Sequence, residues 1–253
     1  MLKQLQILFT VLWTAFALTL PFAKADEITL VADEWCPYNC APNEKSPGIL
    51  IEVAQRAFAQ YGHTVKYVVV PWKRAIRMVR NGESNGIVGT GREETPDFIY
   101  TDKEILSVEH TFFIRKTDSW TYQGLPSLKT RKLGVVRGYS HGDLDITYIQ
   151  PNATDADKIL MVGITSPLPR LLQLIARNRV DTLIEDRIVF KHTLKNLPAF
   201  ETLKPAGIYA NEKIFIAFSP VLKKSTAYAA ILSKFIARDE GEHIAGVIKE
   251  YVE

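Results

Sequence analysis

Short apolar runs alternate with amphipathic stretches along most of the chain. Ile28 to Ala32 has strand composition and is closed by a polar, proline-containing segment, Asp33 to Pro47. Gly48 then leads into LIEVAQRAFAQYG, where Leu50, Val53, Ala54, Ala57 and Phe58 recur on one helical face and Gly62 supplies a stop. Val65 to Val70 is a β-branched run ended by Pro71. Trp72 to Asn81 reads as a second helix with Gly82 behind it, and Gly86 to Thr90 as a third strand. The order predicts an α/β fold, an open sheet with helices on its faces.

A second unit repeats the pattern. Lys132 to Val136 reads as a strand, GYSHGDLD as a turn into a helix, and Lys158 to Val162 as a strand or connection. Pro169 to Asn178 places Leu171, Leu172, Leu174 and Ile175 on one side and runs into the short strand Thr182 to Ile184. Ile214 to Phe218 is apolar and precedes helices expected at Ser225 to Arg238 and Glu240 to Val252. Between the two units lies a polar stretch, Arg115 to Thr130, with Gly124 and Pro126, the composition of a linker or domain edge.

The beginning of the chain changes the picture of where it works. Lys3 precedes an apolar run from Ile7 to Phe22, and Ala23-Lys24-Ala25 fits a signal peptidase site, so residues 1–25 are expected to be a cleaved signal peptide and the mature protein to start at Asp26 in the periplasm. Removing Lys3 and Lys24 from the 31 basic residues leaves 29 against 28 acidic ones, which excludes charge as an argument for nucleic acid. Two cysteines, Cys36 and Cys40, sit in WCPYNC. In an oxidising compartment they are compatible with a disulfide, and free thiols or redox or metal chemistry stay open, although the spacing is not C-x-x-C and no histidine stands nearby.

Ligands of open α/β sheets gather beyond the carboxyl ends of strands. Arg92, in GTGREETPDF, offers a planar fork of donors for a carboxylate, or pairs at the surface with Glu93, Glu94 or Asp97. Asp186 could receive an ammonium or pair with Arg187. Tyr139 and Ser140 could open a helix whose amides hold an anion, or cap a turn. Trp35, Tyr38, Trp72 and Tyr139 could line a pocket or pack in the core. Enzyme readings find little: Ser140 beside His141 is no nucleophile arrangement, GxSxG, HExxH and GxxxxGK[ST] are absent, and the five histidines are scattered singly. Paired carboxylates, Glu34 or Glu93 with Asp186, remain a weak glycosidase alternative.

GILIEVAQRAFAQYG, GIVGTGREETPDFIYTD, LGVVRGYS and LLQLIARNRVDTLIEDRIV followed by IFIAFSP, in this order, resemble the periplasmic solute-binding proteins of ABC transporters, in the family of polar amino acid binders. The resemblance implies a periplasmic binding protein type II-like fold, with two α/β lobes, two hinge strands near Phe113 to Lys116 and Gly207 to Ile214, and a central cleft. Residues 26–114 with 211–253 would form lobe 1 and 115–210 lobe 2. It further implies a monomer without catalytic residues, cofactor or metal, delivering an amino acid or related zwitterion to a permease in the inner membrane. A sensory module for a membrane receptor is the alternative, and a family-related enzyme a more distant one. By position, Arg92 would clamp the α-carboxylate and Asp186 would take the α-ammonium. Tyr139 and Ser140 would help hold the carboxylate, Thr90 and Gly91 would add polar contacts, and Trp35 or Tyr38 would supply an aromatic wall. The chain departs from the family where GTGR replaces GMTxTxxR, and at RGYS and WCPYN, so the resemblance does not carry the solute's identity.

Overall fold

The computed structural model describes residues 25–42, 44, 46–239 and 246. The expected signal peptide, but for residue 25, and the helix expected from Glu240 to Val252, but for Gly246, lie outside them. No described helix is long and apolar enough to cross a membrane.

The first unit forms as its periodicity predicts. Strand β1 (Glu27–Ala32) lies between β2 (Thr64–Val69) and β3 (Gly86–Thr90), all parallel. Helix α1 (Ile49–Ala59) buries Ile49, Leu50, Val53, Ala54, Ala57 and Phe58 against them. Helix α2 (Trp72–Arg80) begins behind Pro71, buries Trp72, Ala75 and Val79, and turns Lys73, Arg74, Arg77 and Arg80 to solvent. A two-residue strand, β4 (Ile99–Tyr100), follows. Helix α5 (Ser225–Asp239), near the end of the described chain, packs Tyr228 and Leu232 beside α1, and Phe58, Phe218 and Tyr228 meet ring against ring.

The second unit is built on β5 (Leu106–Arg115), β6 (Leu133–Val136), β7 (Ile159–Val162) and β8 (Thr182–Asp186). Strands β7, β6 and β8 are mutually parallel, and β8 is antiparallel to β5. Because successive strand side chains face opposite ways, β5 supplies both faces of this sheet. Phe112 and Ile114 belong to a cluster with Leu128, Leu133, Val135 and Tyr148, while Phe113 faces helices α3 (Pro167–Ala176) and α4 (Arg187–Asn196) and stacks on Phe190 at 3.6 Å between ring centres.

One strand joins the two units into a single mixed sheet of order β2-β1-β3-β9-β5-β8-β6-β7. Strand β9 (Leu203–Phe218) pairs antiparallel with β5 from Leu203 to Ile214, then with β3 and β4 from Phe215 to Phe218. It therefore runs unbroken through residues 210 and 211, where the expected lobe boundary lies.

Three readings need refinement. The stretch Arg115 to Thr130 is not a plain linker, since Trp120 and Tyr122 pack on Phe112 and Leu125–Thr130 forms a 3-10 helix covering that face. Tyr139 and Ser140 do not themselves open a helix: they follow a turn at Arg137 and Gly138, and the helix into which GYSHGDLD turns starts at Asp143 and continues as a π-type turn at Asp145–Ile149. The apolar run Ile214 to Phe218 is the end of β9, whose other eleven residues include only two that are buried and so read as polar.

Candidate functional site

The carboxyl ends of the parallel strands in both units converge on one place. Asp33 and Trp35 follow β1, Trp72 follows β2, Gly91 and Glu94 follow β3, and Tyr139 and Ser140 follow β6. With His110 of β5, Glu212 of β9 and Asn39, they line a cavity of about 30 Å³. The two units touch around it. Tyr139 donates its hydroxyl to Asp33 (2.8 Å), Trp35 its indole N–H to Glu185 (2.8 Å), Tyr38 its hydroxyl to Asp186 (3.1 Å), and the Glu34 amide donates to the Thr165 carbonyl (2.8 Å).

Two glycines shape the wall. Gly89 has φ +88°, a conformation side chains avoid, at the point where the pairing of β3 with β9 shifts register between Val88 and Thr90. At Gly91 a Cβ would run into the Glu212 carboxylate, so the residue that departs from the family pattern is the one that lets Glu212 reach the cavity. Glu212 in turn is hydrogen-bonded to His110 at 2.6 Å. Burial by itself would lower the His110 pKa, but the Glu212 hydrogen bond and the nearby Glu185 and Asp186 outweigh it and raise it, favouring a charged pair.

The acids dominate the site's electrostatics. Burial pushes Glu94 up to about 8 against the indole N–H of Trp72 (2.6 Å) and the Thr90 hydroxyl (3.2 Å). Burial likewise pushes Glu185 up to about 7 and Asp33 well above the usual carboxylate range. Glu185 Oε1 accepts from Trp35 and from the Asp186 amide, while Oε2 is buried with no partner among the described residues. Asn39, only 1 % exposed, donates its side-chain N–H to the Asp33 carbonyl and leaves Oδ1 without a donor. Among the described residues lining the small cavity there is no lysine or arginine.

Of the residues singled out from sequence, Trp35, Trp72, Gly91, Tyr139 and Ser140 meet in the cavity wall. Tyr38 lies behind Trp35, with ring centres 4.6 Å apart, and Thr90 is fully buried and hydrogen-bonded to Glu94. Asp186 is spent locally as the N-cap of α4, accepting from the Ile188 and Val189 amides, from the Glu109 amide and from Tyr38. Arg92 is exposed and turned from the small cavity. Its guanidinium lies over the Tyr100 and Phe215 rings at 4.9 and 4.7 Å and donates to the Thr101 carbonyl at 2.6 Å. It borders a second cavity of about 520 Å³, which shares Gly91, His110 and Glu212 with the first. The surface pair expected of Arg92 is made by Arg80 instead, bidentate to Asp97.

Cys36 and Cys40 are joined in a disulfide, with Cα atoms 4.3 Å apart. It ties the turn that holds Trp35 and Tyr38 against the cavity, where the Trp35 amide donates to Asn39 and the Tyr38 amide to Trp35. Among the described residues the one grouping of metal-type ligands is Cys36, Cys40 and Glu44, and the disulfide consumes both thiols. From sequence, Asp33 and Glu185 stand out as polar residues at strand ends, Glu94 reads only as a surface partner of Arg92, and Asn39, His110 and Glu212 carry no local signal.

No known family profile matches the chain, and no curated protein matches it in sequence. Solved structures do match. A histidine kinase sensor domain with similarity to periplasmic binding proteins is 18% identical with a TM-score of 0.73, over 89% of this chain and 96% of that one. An ancestral arginine-binding protein bound to arginine is 16% identical with a TM-score of 0.73, over 91% and 99%. The P235GK mutant of ArgBP from T. maritima is 14% identical with a TM-score of 0.72, over 90% and 95%. At these identities the likeness establishes the fold: an α/β fold of the periplasmic-binding-protein kind.

Proposed function

We propose that the protein is a solute receptor that holds a small polar solute, an amino acid or related zwitterion, at the cavity between its two units and hands it to an ABC permease. The observation that supports this best is that one cavity draws its walls from both units, with Asp33, Trp72 and Glu94 on one side and Tyr139 and Ser140 on the other. In this reading residues 26–114 with 211–253 form one lobe, 115–210 the other, and β5 and β9 the hinge. The fold shared with arginine-binding proteins is consistent with it, as is a periplasmic location reached through a cleaved signal peptide. The carboxylate end of the solute would reach the larger cavity, where Arg92 has donors to offer.

A thermal-shift screen of amino acids and small organic acids, followed by calorimetry on the best solute, tests this. Arg92→Ala is expected to weaken binding of a carboxylate-bearing solute about thirtyfold or more, as for a charged hydrogen-bond partner removed from a closed cleft. Undiminished affinity in the folded variant removes Arg92 from the site. A second reading, a sensory module, is favoured by the equal likeness to a histidine kinase sensor domain. Loss of solute uptake in cells lacking the protein separates transport from sensing.

A further inference from the structure

We propose that the small cavity between Asp33 and Glu94 seats an organic ammonium group, so that the solute enters amine first and is selected as a cation. This rests on the receptor reading and specifies the chemistry of its inner end.

The argument is one of donors and acceptors. The aromatic donors around the cavity are already used: Trp72 on Glu94, Tyr139 on Asp33 and Trp35 on Glu185. The acceptors are not. Asn39, a lining residue only 1 % exposed, keeps an Oδ1 beside Gly89 that has no donor among the described residues. A buried acceptor without a donor is costly, and natural proteins rarely leave one without a reason. What completes this set is a group that only donates, which an ammonium does with three N–H bonds.

Charge and shape agree. With no lysine or arginine among its described lining residues, and His110 held by Glu212, the cavity offers a guest carboxylate no charged partner that is not already engaged. Trp35, Trp72 and Tyr139 line it, Tyr139 in T-shaped contact with Trp72 at 5.7 Å and with Trp35 at 6.5 Å, and aromatic rings attract cations. A volume of about 30 Å³ exceeds the roughly 10–15 Å³ that seats one water, so a small polar group fits. An –NH3+ can donate to the free acceptor, whereas a trimethylammonium carries no N–H.

Protonation follows the same logic. Burial raises Glu94 to about 8 and shifts Asp33 in the same direction, which favours the neutral carboxyl of Glu94 in the unliganded protein. The groups around Glu94 are Asp33 behind β1, Thr90 of β3, Trp72 of α2, Tyr139 behind β6 and the Glu212–His110 pair of β9 and β5, and it shares an adjoining cavity of about 580 Å³ with Lys73, Arg77 and Arg80 of α2, Glu93, and Arg137, His141, Asp143 and Asp145 behind β6. An arriving ammonium favours the carboxylate form, so binding expels a proton near neutral pH.

The test uses three probes of one length: 1,5-diaminopentane, its bis-trimethylammonium analogue and glutarate. The diamine is expected to bind at least about tenfold more tightly than the other two, and Glu94→Gln to weaken it by about tenfold or more while circular dichroism stays unchanged. Calorimetry of the parent protein at neutral pH in phosphate and in HEPES, neither a primary ammonium, is expected to give different heats, the signature of proton release, and needs no variant to fold. Equal binding of diamine and glutarate, full affinity in folded Glu94→Gln, or identical heats in the two buffers would overturn the assignment. Tight binding of an acid or an uncharged solute sinks the ammonium seat and leaves the receptor reading standing; no binding from amines, amino acids or acids sinks both.

Discussion

Glu94 shows how one residue couples folding to pH. Its carboxyl is raised from an ordinary 4.5 to about 8, so the unfolded chain gives up its proton first as pH rises. Stability is therefore full below about 4.5, falls across the window up to about 8, and levels off above it. Urea unfolding at about pH 5 and about pH 9 is expected to differ by roughly 2–4 kcal/mol, with Glu94→Gln flattening the difference. Asp33 and Glu185 shift in the same direction, so the variant reduces the slope without abolishing it. An equal slope in parent and variant would exclude Glu94 as a cause. Local sequence did not reveal this residue's role. Glu94 follows Arg92 in what reads as a surface turn, and Glu212 stands in a polar stretch; only the fold brings them to one cavity. The aromatic residues were legible because they stand directly behind strands.

At the scale of the element, helix α4 depends on the residue that precedes it. Only Val189 and Phe190 of it are fully buried, with Ile188 and Leu194 partly so, too sparse for a periodic signal, which is why sequence reasoning passed over it. What starts it is Asp186, whose carboxylate accepts from three backbone amides and the Tyr38 hydroxyl. Asp186→Ala is expected to cost roughly 2–4 kcal/mol in urea unfolding and to speed amide exchange in the first turn of α4. Asp186→Asn, which keeps an acceptor, is expected to lose less. If both variants unfold like the parent, the cap is not what holds the helix. Helices α1, α2 and α3 were readable by contrast, because each carries an apolar stripe closed by proline or glycine. Strand β9 was readable only where both of its faces are buried.

At the scale of the molecule, β5 and β9 carry the connection between units, and side-chain bonds such as Tyr139 to Asp33 and Trp35 to Glu185 close the space between them. Few bonds hold that seam, so its opening competes with ligand contacts made on both sides. Small-angle scattering is expected to show compaction when solute saturates the parent protein, and a more open free state in Tyr139→Phe, which loses the hydroxyl. Unchanged profiles for both, with binding proven by calorimetry, would rule out closure about β5 and β9.

The Cys36–Cys40 bond ties the turn that carries Trp35 and Tyr38, and neither cysteine belongs to the sheets. Oxidation therefore acts on the binding wall and leaves the scaffold to its hydrophobic core. Under the receptor reading, a chain kept reduced would still build its strands and helices yet hold its aromatic wall more loosely. Competence to bind would then be acquired only in a compartment that oxidises thiols.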